Sequence, residues 1–129
     1  MAELAYKTKI YYDDTDAGGV VYYANYLKLY ERAKQEFFLK KGCDLFRLHY
    51  EGVYLIVKEV KANYIKSLRL GEEALVFVEV KRIKKASIEL YFQVKVNDEL
   101  RAEAEILSVA VDTDSRIVKL PDCVSKLLT

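Results

Sequence analysis

The chain is sparing with the residues that most often betray a chemistry on sight. Its 129 residues include two cysteines, one histidine, one proline and five glycines. Cys43 and Cys123 lie far apart and form no C-x-x-C pair, which excludes a cysteine zinc site and a thioredoxin-type motif. Both are expected as free thiols in a reducing cytosol. The formal net charge is +1, so there is no global field to gather nucleic acid. No apolar run approaches the ~20 residues that cross a bilayer. The start, Met1 to Lys7, has the pattern of neither a signal peptide nor a transit peptide. A cytoplasmic protein without a membrane span is expected. Abundant Lys and Glu beside few Pro and Gly lean toward heat stability.

What is present is an ordinary globular composition, 52% apolar and 32% charged. The length fits one domain, 1–129, able to bury about two-thirds of its unfolded surface. Residues 6–12 read as a strand and 13–19 as a loop. Residues 25–41 read as a helix, because Tyr26, Tyr30, Ala33 and Phe37 fall on one face and Leu29 and Phe38 widen it. Lys40 and Lys41 suit its negative end, and Gly42 suits the position after it. From Val53 to Val111 the pattern alternates as strands do, most regularly from Ala86 to Val96. Asn97-Asp98 marks a turn, and Pro121 could open a short helix over 122–128. A strand, one long helix and four successive strands predict an antiparallel meander and an α+β fold. A sheet of about five strands should wrap around the helix.

Asp13, Asp14 and Asp16 precede a Gly-Gly turn and the start of the helix. An EF-hand loop beginning at Asp14 would put Gly18 at its fifth position and Asn25 at its twelfth, so two essential ligands fail. Asp14-Thr15-Asp16 as an aspartyl-phosphatase motif would need a parallel α/β sheet, which the clustered strands do not supply. Acyl transfer needs a carboxylate on a tight turn beside unpaired N–H groups of a helix start, and Asp16 has that setting. Asp16 as a plain turn or helix cap fits the same residues. Chemistry alone leaves both open.

The run from Ile10 to Tyr26 resembles the signature of the 4-hydroxybenzoyl-CoA thioesterase family, and most of all its bacterial acyl-CoA thioesterases named after the Tol–Pal gene cluster. Thr15-Asp16, Gly19, Val20, Val21 and Tyr26 carry the match, and Tyr30-Glu31-Arg32-Ala33 is similar to the family's helix. The resemblance extends to the strand order over nearly the whole chain. It implies a hotdog fold and hydrolysis of an acyl-CoA thioester to free acid and CoA, with no metal or organic cofactor.

On that resemblance Asp16 becomes the nucleophile or general base, and the backbone N–H of Tyr23 polarises the thioester carbonyl. Glu31 takes the place of an acidic residue facing the acyl group. Lys84, Lys85 and Ser87, at a strand junction, take the place of residues that contact the CoA phosphates. Relatives build their sites between subunits, so a homodimer or homotetramer is implied. One departure is clear. Where many relatives carry His, this chain has Tyr23, and its lone histidine, His49, falls in a stretch read as loop. A tyrosine, with a pKa near ~10, is a poor base at neutral pH. Two other functions share the resemblance: a non-catalytic acyl-CoA-binding or regulatory module, and a hydratase or dehydratase, which would need a helix-borne His.

Overall fold

A computed structural model describes residues 2–127 of the chain. Five strands form one antiparallel sheet: β1 (Glu3–Lys9), β2 (Tyr54–Tyr64), β3 (Glu73–Ile83), β4 (Ser87–Val96) and β5 (Glu99–Val111). Their spatial order is β1-β3-β4-β5-β2. The meander expected from four successive strands holds for β3, β4 and β5. It fails for β2, which pairs with β5 at the far edge rather than with β3. The segment 65–72 between β2 and β3 therefore crosses the end of the sheet.

The helix α1 (Asn25–Lys40) lies against one face of this sheet and buries Tyr26, Leu29, Tyr30, Ala33, Phe37 and Phe38. Facing it are Val76 and Val78 of β3, Leu90 and Phe92 of β4, and Ala104 of β5. The strict alternation in β4 appears as alternating buried and half-buried residues, as a sheet with one covered face requires. The Tyr30 ring meets Phe92 at 5.1 Å between centroids. Gly42 follows the helix with φ +80°, a left-handed conformation that glycine adopts without a Cβ clash.

Several expectations need correction. The first strand ends at Lys9, and Tyr12–Asp14 instead form a 3-10 turn in which the Asp14 carboxylate accepts the Tyr11 N–H at 2.9 Å. A second helix, α2 (Leu45–Tyr50), occupies a stretch read as loop, and His49 lies on it. The Asp44 carboxylate caps it by accepting the N–H groups of Phe46 and Arg47 at 3.0 and 3.2 Å. Six residues are too few to show a helical period. Cys43 and Cys123 are not free thiols but a disulfide, with Cα atoms 5.3 Å apart across a separation of 80 residues. Spacing in sequence carries no information on such proximity. The bond ties the end of α1 to the short helix α3 (Asp122–Ser125); Leu128, the expected end of that helix, lies outside the described residues. Among the described residues no helix is long and apolar enough to cross a membrane.

Candidate active site

The acidic loop folds back on itself because Thr15 and Val21 form an isolated antiparallel bridge. Inside this loop Asp16 N–H donates to the Val20 carbonyl at 2.9 Å, and Gly19 N–H donates to the Asp16 carbonyl at 3.1 Å. Gly19 sits at φ +77°, where a side chain would be strained. Asp16 Oδ1 accepts the Gly18 N–H at 2.8 Å. A Cβ on Gly18 would stand 3.3 Å from that oxygen, so the bare backbone of Gly18 leaves room for the carboxylate. Asp16 is thus partly the turn cap that chemistry alone allowed. Its other oxygen makes no hydrogen bond among the described residues, and the side chain is exposed to solvent.

The head of α1 lies next in the chain. The N–H groups of Asn25, Tyr26 and Leu27 turn back to the carbonyls of Tyr22, Tyr23 and Ala24 at 2.8, 3.3 and 3.3 Å. The Asn25 side-chain amide donates to the Asp14 carbonyl at 2.9 Å and ties helix to loop. Tyr23 N–H donates to no group among the described residues, so this amide is available at the positive end of the helix. The Tyr23 carbonyl accepts the Tyr64 hydroxyl at 3.3 Å, and the Tyr64 ring stands edge-on to Tyr26 at 5.0 Å. Sequence reading missed Tyr64 at the site. It ends β2, and only the path of β2 along the far edge of the sheet brings it to the helix head.

Glu31 is half-exposed and lies 2.7 Å from Lys34 Nζ, whose side chain is only 2% exposed. Both border an apolar cleft of about 330 Å³ between α1 and β2, lined also by Leu27, Tyr30, Val57 and Phe92. Burial pushes the Tyr30 phenol well above its ordinary pKa, so it is a neutral hydroxyl.

Lys84 and Ser87 share a second cleft of about 280 Å³ with Lys58 and Arg82, whereas Lys85 is not part of its lining. Arg82 belongs to the same basic run, Lys81 to Lys85, as Lys84, whereas Lys58, which sequence reading missed, comes from β2, far away in sequence. The Asp16 loop lies beside Arg69, four residues before β3, through the Val20–Arg69 bridge, and Lys84 directly follows β3. Eleven residues of β3 at ~3.3 Å each separate the two by the length of a strand of roughly 30 Å in one chain. Tyr64 meets Tyr23 at the helix head, and Asn25 ties that head to the acidic loop that carries Asp16; the lysines lie at the other end of β3. Among the described residues no group of His, Cys, Asp and Glu side chains is arranged to hold a metal ion.

Comparison with known proteins bears on this arrangement. The family described as the thioesterase-like superfamily matches residues 11–128. The chain is 37% identical over 106 residues to the acyl-CoA thioester hydrolase YbgC of Escherichia coli O6:H1, covering 81% of this chain and 78% of that protein. It is 35% identical over 88 residues, 68% of its own length, to the acyl-CoA thioesterase YbgC of Helicobacter pylori, and spans 64% of the length of that relative. In fold it superposes on a hypothetical protein from Aquifex aeolicus with a TM-score of 0.90 at 23% identity, covering 96% of this chain and 98% of the other. A gentisyl-coenzyme A thioesterase superposes with a TM-score of 0.88 at 20% identity, covering 92% and 97%. Antiparallel five-stranded sheet and central helix are the hotdog arrangement.

Proposed function

Since the chain belongs to the thioesterase-like superfamily, we propose that it hydrolyses acyl-CoA thioesters to free acid and CoA, with Asp16 as the reacting carboxylate. The observation that supports this reading is a carboxylate fixed on a tight turn in a loop that Asn25 ties to the head of α1, where the Tyr23 N–H has no partner among the described residues. In the reaction the Tyr23 N–H donates to the thioester oxygen as negative charge develops there. Asp16 supplies the electron pair in one of two ways. As nucleophile, its oxygen bonds to the acyl carbon, the C–S bond breaks, CoA leaves as thiolate, and water hydrolyses the resulting anhydride. As general base, it takes a proton from water while the water oxygen bonds to the acyl carbon; the C–S bond then breaks, CoA leaves as thiolate, and the proton passes from Asp16 to the departing sulfur or to solvent. Neither route needs a histidine, which suits a chain whose only histidine is on α2.

Glu31 borders the apolar cleft and faces the acyl group in this reading, with Lys34 holding its carboxylate in place. Lys84, Lys85 and Ser87 serve the CoA phosphates, with Lys58 and Arg82 adding charge beside Lys84. The separation of this cluster from Asp16 favours a site shared between two copies in a homodimer, or in a homotetramer built from it. Exposed Ile56, Val57 and Val60 on the edge strand β2 are suited to cover by a second copy. A cytoplasmic location, also part of this proposal, is compatible with the Cys43–Cys123 disulfide only in a cell that keeps disulfides inside, as hyperthermophiles do. A panel of acyl-CoA substrates, read by thiol release, tests the function. Turnover of at least one member is expected, while saturable binding of acyl-CoA without any thiol release contradicts it.

A further inference from the structure

We propose that Arg101 on β5, remote in sequence from the acidic loop, is a positioning residue that holds Asp16 in place through Glu72 and the segment 65–72. The proposal rests on the catalytic reading of Asp16 given above.

Arg101 is 6% exposed, a charge buried near the start of a strand whose other buried residues include Ala102, Ala104, Ile106, Ser108 and Ala110. Its guanidinium forks onto Glu72, donating to Oε2 at 2.7 Å and to Oε1 at 2.9 Å. The same terminal nitrogen donates to the Ser67 carbonyl at 2.9 Å, and Nε pairs with Glu99. The Arg101 carbonyl accepts the N–H groups of Ile65 and Lys66 at 2.9 and 3.0 Å. Glu72 Oε1 also accepts the Arg69 N–H at 2.7 Å. One residue therefore gathers both ends of a segment that has no strand or helix of its own.

That segment is the other wall of the Asp16 loop. Val21 N–H donates to the Leu68 carbonyl at 2.9 Å, and Leu70 N–H donates to the Gly19 carbonyl at 3.1 Å. Leu68 N–H donates to the Tyr26 hydroxyl at 3.1 Å, which adds α1 to the same frame. Gly19 and Val20 in turn hold Asp16 by its carbonyl and N–H. The route from Arg101 to Asp16 thus runs through hydrogen bonds joined by one- or two-residue stretches of backbone in the segment and the glycine turn. A buried ion pair is often no more stabilising than an apolar pair of the same size. Apolar side chains, however, could not fix the Ser67 carbonyl and the Arg69 amide in one register. The planar fork of arginine does, and the single ammonium of lysine does not.

Arg101→Lys tests this in the full-length protein, because it keeps the charge and loses the fork. The expected result is a kcat lower by between about ten- and a hundred-fold, the scale of a small misplacement of a reacting group, with KM within about twofold. Amide exchange at Val21 and Leu70 should quicken by at least about tenfold relative to the β4 amides, a local opening rather than a global one. In an Asp16→Asn background the same change should cost no further activity, since the residue acts through Asp16. Glu72→Gln keeps the acceptor's shape and should move kcat and exchange in the same direction by a smaller factor. It serves also if the arginine variant does not fold. Unchanged exchange at Val21 and Leu70, unchanged kcat, or an undiminished loss in the Asp16→Asn background overturns the proposal. Full activity of Asp16→Asn alone would instead remove the catalytic reading, and the exchange rates would still decide whether Arg101 holds the loop.

Discussion

At the scale of the residue, the paired charges Glu31 and Lys34 of α1 carry unequal risk. Lys34 is buried and Glu31 is half in water. Removing Glu31 leaves an ammonium buried without its partner, while removing Lys34 leaves a carboxylate that water still reaches. Glu31→Ala should therefore destabilise by about 1–3 kcal/mol more than Lys34→Met, read by urea denaturation. Equal losses would mean the pair is not desolvated. Glu72 gives a pH dependence. The Arg101 guanidinium, with help from the Arg69 N–H and Lys66, holds its carboxyl below the ordinary glutamate range. A carboxyl with a lowered pKa in the folded state stabilises above its unfolded pKa and loses that contribution as pH falls through the folded value. Glu99, also paired with Arg101 and Lys66, is lowered too and reinforces the trend. Stability should decline as pH falls below the usual carboxylate range, and Glu72→Gln should flatten that decline in thermal scans at graded pH. A wild-type-like acid limb in Glu72→Gln would contradict the assignment. The turn that holds Asp16 was legible from its own neighbours in sequence, whereas the roles given to Asp16 and Tyr23 rest on the resemblance. Tyr64 and Arg101 were not legible, because their partners lie about forty and thirty residues away and no local pattern marks them.

At the scale of the element, α1 was legible because its apolar residues recur at helical spacing over four turns, and β4 because it alternates over ten residues. α2 was not, since one and a half turns contain no period, although Asp44 is a recognisable cap. β2 was legible as a strand but not in its place. Its mostly exposed residues follow from edge position, which pairing with β5 sets. The junction of β3 and β4 carries the phosphate reading. Lys84→Ala should raise KM for acyl-CoA several-fold and leave a truncated pantetheine thioester almost unaffected. Lys58→Ala should act in the same direction, and Lys85→Ala less, because only Lys58 and Lys84 line the cleft. Equal effects of Lys84→Ala on both substrates would remove it from phosphate binding.

At the scale of the whole molecule, the disulfide closes most of the chain into a loop, from the end of α1 to α3. Constraining so long a loop in the unfolded state contributes about 2–4 kcal/mol. Replacing Cys43 and Cys123 with Ser should lower stability by that amount and leave kcat within a few-fold, since neither sulfur is at the acidic loop. A hundred-fold loss of kcat would mean a cysteine takes part in the chemistry. The fold class followed from the order of elements, and the strand order did not, because β2 crosses to the far edge. The catalytic claim itself comes down to one charge. Asp16→Asn retains an oxygen that can accept the Gly18 N–H, so the turn should persist and the melting temperature should hardly move. The most direct measurement is thiol release from a turned-over acyl-CoA by this variant beside the wild type. A fall in kcat of at least about a hundred-fold with little change in KM is predicted. A variant that folds and retains full thioesterase activity would contradict the account.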